Sequence, residues 1–93
     1  MFVAVYSFWA KPGSLAKVRA LYQEWQGLLG SGSTVATELL SNTQDPADVM
    51  LLARFTDEDA AWAAAESPGH CAWYARLVSL AEAGPTVGHY QVA

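Results

Sequence analysis

The stretch Asp45–Tyr74, DPADVMLLARFTDEDAAWAAAESPGHCAWY, decides how this chain folds. Val49–Phe55 is apolar at both parities of a two-residue period apart from Arg54, the pattern of a strand covered on both faces. Thr56 follows as a helix cap, and Asp57, Glu58 and Asp59 fill a first turn in which negative charge suits the helix dipole. This predicts a helix over about Asp57–Glu66. Ser67-Pro68 restarts it, with serine as the cap and proline at the first helical position. From there His70, Trp73, Tyr74, Leu77 and Leu80 share one face, while Arg76, Ser79 and Glu82 lie on the other. A strand therefore enters two short helices, and the groups able to do chemistry point inward.

The alternation continues outward in both directions. Phe2–Trp9 has the β-branched and aromatic content of a strand, again apolar at both parities. Lys11-Pro12-Gly13 breaks it, and Ser14 is placed to cap a helix whose Leu15, Val18, Tyr22, Trp25 and Leu29 recur at helical spacing. Gly30 and Gly32 end that helix by admitting positive φ. Ser33–Ser41 reads as a second strand, joined by the turn Asn42–Asp48 to the third in a hairpin. After the last helix, Gly84-Pro85 is a stop signal and Thr86–Val92 a short fourth strand. The order βαββαβ in one domain spanning residues 1–93 predicts an α+β, ferredoxin-like fold, a four-stranded antiparallel sheet with helices on one face.

Helices cover only one side of such a sheet, yet the first and third strands are apolar on both. A second copy packing sheet against sheet completes the structure, so a homodimer is expected. Composition agrees: the chain is 53% hydrophobic and only 15% charged, against about 25% in an ordinary soluble domain. A net charge of −4 with five scattered Lys and Arg argues against nucleic acid as a partner. The apolar start MFVAVYSFWA lacks a basic leader and ends at Lys11, well short of the roughly 18 residues that span a bilayer. The expectation is a cytoplasmic protein with no membrane partner. A lone Cys71 permits no internal disulfide, and the acidic run Asp57–Asp59 reads as a helix start rather than a metal site.

Taken together, the first strand ending in Lys11-Pro12-Gly13, the turn Asn42-Thr43-Gln44-Asp45-Pro46, the step Phe55-Thr56-Asp57-Glu58-Asp59-Ala60, the Ser67-Pro68-Gly69-His70 junction and the closing Tyr90-Gln91-Val92 resemble the antibiotic biosynthesis monooxygenase (ABM) domains. That resemblance implies a dimeric α+β barrel. Members of the family include cofactor-independent oxygenases of aromatic polyketides and quinols, haem-degrading enzymes, and domains without known activity. Many carry a histidine three residues before the serine of the Ser-Pro step, where this chain has Ala64. The haem-degrading branch uses an asparagine on the first strand, which FVAVYSFW lacks, so haem degradation is disfavoured.

The implied chemistry is monooxygenation of a small aromatic, quinol or polyketide-like substrate with no cofactor and no metal. Such a substrate, once deprotonated, passes an electron to O2 itself, so the protein must bind it, exclude water and take a proton. The candidate base is His70, whose place in the first turn of its helix disfavours the imidazolium, and Tyr74, one turn on, is the candidate hydrogen-bond donor to a substrate oxygen. Trp62, Trp73, Tyr6 and Trp9 are the candidate aromatic walls, and Arg54 the candidate counter-charge. Each has a plainer reading too. A first-turn histidine is commonly a satisfied structural group, Trp62 fills space among alanines, Trp9 fits an interface, and His89 an exposed or interface position. A non-catalytic homodimeric domain that binds a small apolar molecule is the alternative from another class.

Overall fold

A computed structural model describes residues 1–30 and 33–93. Seven elements follow in the order β1 (Phe2–Ala10), α1 (Leu15–Leu29), β2 (Thr34–Ser41), β3 (Asp48–Phe55), α2 (Glu58–Ala65), α3 (Pro68–Leu80) and β4 (Ala81–Gln91). The strands form one sheet in the order β2-β3-β1-β4, every neighbour antiparallel, which is the expected ferredoxin-like arrangement.

The two-residue period of β1 sets the layers. Phe2, Ala4, Tyr6, Phe8 and Ala10 are buried beneath the helices. On β3 their antiparallel partners Phe55, Ala53, Leu51 and Val49 face the same way. Val18, Leu21 and Trp25 of α1 and Trp73 and Leu77 of α3 close the core from above. The opposite face of the sheet carries Val3, Val5, Leu52, Met50, Leu40 and Tyr90, and no element among the described residues covers it. There a shallow concavity of about 360 Å³ is lined by Val3, Val5, Met50, Leu52, Tyr90, Gln91 and Val92.

Side-chain hydrogen bonds punctuate the elements. Gly30, at φ 65°, ends α1 with its N–H on the Gln26 carbonyl, whereas Gly32 lies outside the described residues. In the β2–β3 turn, Asn42 and Asp45 accept from the backbone N–H groups of Gln44 and Ala47, two Asx turns in succession. Ser67 caps α3 by accepting from the His70 N–H, with Pro68 behind it, as the sequence implied.

Three boundaries differ from expectation. Asp57, not Thr56, caps α2, its carboxylate accepting from Ala60 N–H at 2.8 Å. Ser14 adjoins α1 but makes no side-chain cap there, because its hydroxyl donates to the Lys11 carbonyl instead. The largest difference is at β4, which starts at Ala81 directly after α3, so Glu82 and Gly84-Pro85 lie inside a strand. Pairing with β1 explains it: Ala81 faces Ala10 and Ala83 faces Trp9, and an outermost strand tolerates proline. The register shifts between Ser7 and Ala10 accommodate the Gly84-Pro85 step. Glycine is required at position 84, where φ is 91° and an added Cβ would sit 2.9 Å from the Ser7 carbonyl oxygen.

Candidate functional site

Tyr6 stands in the middle of β1 on the helix side, and the first turn of α3 brings His70 over it. The Tyr6 hydroxyl lies 3.2 Å from Nε2 of His70, a buried side-chain pair that joins residues 64 positions apart. Both ends of this contact are fixed locally. Ser67 and Pro68 set the start of α3, and Gly69 lets it approach α1 closely, since a Cβ there would come within 2.8 Å of Leu28. The exposed Arg76–Glu24 ion pair ties the same two helices together further along.

An aromatic shell surrounds the pair. Trp25 and Trp73 meet Tyr6 edge-on, with ring centroids 5.6 and 5.9 Å from it, and stack on each other at 5.3 Å. Trp73 is also 5.3 Å from the His70 ring, and Tyr74 is 6.0 Å from Tyr6. The Trp73 indole N–H donates to the Leu21 carbonyl at 2.8 Å. Trp25 Nε1 is the one fully buried side-chain donor or acceptor without a partner among the described residues.

This apolar setting keeps both titratable groups neutral. Burial pushes the Tyr6 phenol up to about 12, and the neighbouring Tyr74 hydroxyl adds to the effect. Burial likewise holds His70 below its ordinary value of 6.5, disfavouring the imidazolium. Desolvation, rather than the helix N-terminus, is the cause of the neutral ring.

The candidate residues divide into three groups. His70, Tyr6, Trp73 and Tyr74 come together on the helix side of the sheet. Trp73 belongs there as a core residue, 2% exposed and with its N–H engaged, so it backs the pair rather than offering a free stacking face. Arg54 and Trp9 lie on the other side of the sheet, on the uncovered face with Val3 and Val5. The parity is decisive: Tyr6 pairs with Leu51, so Arg54, an odd number of positions from Leu51, points away from His70. Neither side chain shares a cavity with His70 within one protomer.

Trp62 forms the third group, with a partner that sequence reasoning did not select. Its ring lies 4.8 Å from His89, which in turn stacks on Phe2 at 5.7 Å. His89 is exposed, as expected, but it pairs with Ala4 and so stands on the helix side, beside Val87, the partner of Tyr6. Only the register of β4 on β1 reveals this. Val87, His89 and Trp62 thus border an open shelf along the outer strand, next to Tyr6 and half-buried Tyr74.

His70 and Tyr6 themselves are 6% and 5% exposed. A cleft of about 370 Å³ between α1 and α3 is lined by Glu24, Gly27, Leu28, Gly69, Ala72, Trp73 and Arg76. Neither His70 nor Tyr6 lines it. No group of three or more His, Cys, Asp or Glu side chains suited to a metal ion occurs among the described residues.

Comparison with known proteins agrees with this architecture. SnoaB from Streptomyces nogalater, described as a cofactor-independent oxygenase and solved as the mutant N63A, superposes with a TM-score of 0.87 at 20% identity, covering 98% of this chain and 91% of that one. A conserved protein from Methanosarcina mazei Go1 gives 0.87 at 13% identity, over 97% and 90% of the two chains. Rv0793 from Mycobacterium tuberculosis gives 0.84 at 15%, over 99% and 94%. At such identities the likeness is one of fold. No curated protein matches by sequence. Residues 1–76 match the family described as ABM, antibiotic biosynthesis monooxygenase, and the chain belongs to that family.

Proposed function

We propose that this protein is a cofactor-independent monooxygenase of a small aromatic, quinol or polyketide-like substrate, working as a cytoplasmic homodimer. The observation that carries the reading is the neutral His70 held 3.2 Å from a buried phenol inside an aromatic shell. A neutral imidazole in a dry setting accepts a proton that an imidazolium cannot. Trp62, Val87 and Tyr74 offer flat and apolar contacts for a planar ligand lying beside that pair, and the Tyr74 hydroxyl is a donor for its oxygen.

The chemistry closes without an external reductant. A ring CH2 flanked by a phenol or ketone loses a proton to the His70–Tyr6 pair and becomes an electron-rich anion. The anion gives one electron to O2, and the resulting radical and superoxide couple into a C–O bond. The second C–H bond then breaks as the O–O bond cleaves, leaving a C=O group and, after protonation, water. One oxygen atom enters the product and the other leaves as water. The protein binds, excludes solvent and moves the proton.

The low exposure of His70 and Tyr6 favours a second reading, a homodimer that binds a small apolar molecule on the Trp62 shelf without turning it over. Oxygen uptake with a panel of anthrones and hydroquinones separates the two. Uptake lost in His70→Ala and reduced in Tyr74→Phe supports the oxygenase. Tryptophan quenching by the same compounds with no uptake supports binding alone.

A further inference from the structure

The direction of the Tyr6–His70 hydrogen bond follows from counting donors. A phenol has one hydrogen, and the only partner its hydroxyl meets among the described residues is Nε2 of His70. Were Nε2 to carry the ring proton and donate to the phenol oxygen, the buried phenolic hydrogen would have no acceptor. A buried donor left unpaired costs about 1–3 kcal/mol. Nδ1 is in a different position. It has no partner among the described residues, yet it is not sealed as Trp25 Nε1 is, so it keeps contact with solvent. If the proton sits on Nδ1, water accepts it there and Tyr6 donates to Nε2, and every donor is satisfied.

We infer that Tyr6 fixes His70 as the Nδ1–H tautomer and is the group through which His70 takes its proton. The accepting nitrogen is already engaged by the phenol hydroxyl at 3.2 Å, so a proton from a substrate beside Tyr6 passes to it through the Tyr6 oxygen. As the substrate O–H or C–H bond breaks, a new O–H bond forms on Tyr6, and the original Tyr6 proton passes to Nε2. The substrate is left as an anion and His70 as an imidazolium; Tyr6 ends as the phenol it was, and no electron moves in this step. Tyr6 thereby acts as a relay rather than a stacking wall. This role rests on the oxygenase reading, whereas the tautomer does not.

The test uses protein labelled with ¹⁵N-histidine, with His89→Gln to assign the two rings. Long-range proton–nitrogen correlation at neutral pH is expected to give a protonated Nδ1 and a pyridine-like Nε2 for His70. In Tyr6→Phe the ring is expected to shift toward the Nε2–H form that histidine favours in water. A wild-type His70 protonated on Nε2 overturns the inference, as does a folded Tyr6→Phe that keeps the Nδ1–H form. Should Tyr6→Phe fail to fold, the wild-type spectrum alone decides the tautomer. For an accepted substrate, Tyr6→Phe is expected to lower kcat about 100-fold or more with little change in KM; an unchanged kcat removes the relay. Wild-type protein that consumes no oxygen sinks the oxygenase reading and leaves the tautomer to the spectrum.

Discussion

Replacing His70 with glutamine is expected to flatten the acid side of the stability profile. The folded ring titrates below its ordinary value of 6.5 because burial penalises the imidazolium, so on acidification the unfolded chain takes up the proton first. Stability contributed by the neutral ring is therefore complete above the unfolded value and lost as pH falls below it. The slope for one proton cannot exceed about 1.4 kcal/mol per pH unit. A ring that stayed neutral in the native state down to pH 5.5 would lose about 1.4 kcal/mol between pH 7.5 and 5.5, and a smaller depression would lose less. For a domain of this size the upper bound corresponds to about 6–11 °C in Tm. Glutamine can still pair with Tyr6 but does not titrate. Urea unfolding of wild type and His70→Gln at pH 7.5, 6.5 and 5.5 gives the difference directly, with carboxylates common to both proteins cancelling. Parallel stability curves for the two proteins would refute a buried neutral His70.

The stacked tryptophans are expected to respond unequally: Trp73→Phe forfeits a 2.8 Å hydrogen bond to Leu21, whereas Trp25→Phe removes a donor with no described partner. Urea unfolding should find Trp73→Phe the costlier change by about 1 kcal/mol. Asp57→Ala is expected to cost about 1 kcal/mol through loss of the α2 cap, and Thr56→Ala much less; equal costs would contradict the cap assignment. Leu52→Glu places a charge on the uncovered sheet face away from the core, and is expected to turn a dimeric wild type into a folded monomer by light scattering. A wild type that sediments as a monomer would remove the homodimer.

The sheet is legible from sequence because the short apolar, β-branched and aromatic runs Phe2–Trp9 and Val49–Phe55, bounded by turn residues, read as covered strands, and the spacing of apolar residues in α1 and α3 reads as helix. The β4 strand resisted it. Glu82–Pro85 has the local character of a helix end, and only pairing with β1, set by long-range contacts, turns it into strand. The site shows the same division. His70 facing inward follows from its helix face, but its contact with Tyr6 spans 64 positions and needs the packing of α3 on β1. Chemical character alone groups Trp9 and Arg54 with it, since both faces of their strands are apolar and parity without register does not say which face meets the helices. The same ambiguity hides the side of the sheet on which His89 stands.

Pro85 lies on the outer rim of the sheet, where a neighbouring chain would seek N–H groups to extend a ribbon. A proline has none to give, and the pairing of this strand with β1 is irregular beside it. Growth by lateral strand addition is therefore discouraged along this margin. Stacking of two copies on the uncovered face, the assembly proposed above, would close after two copies instead of propagating into a fibre.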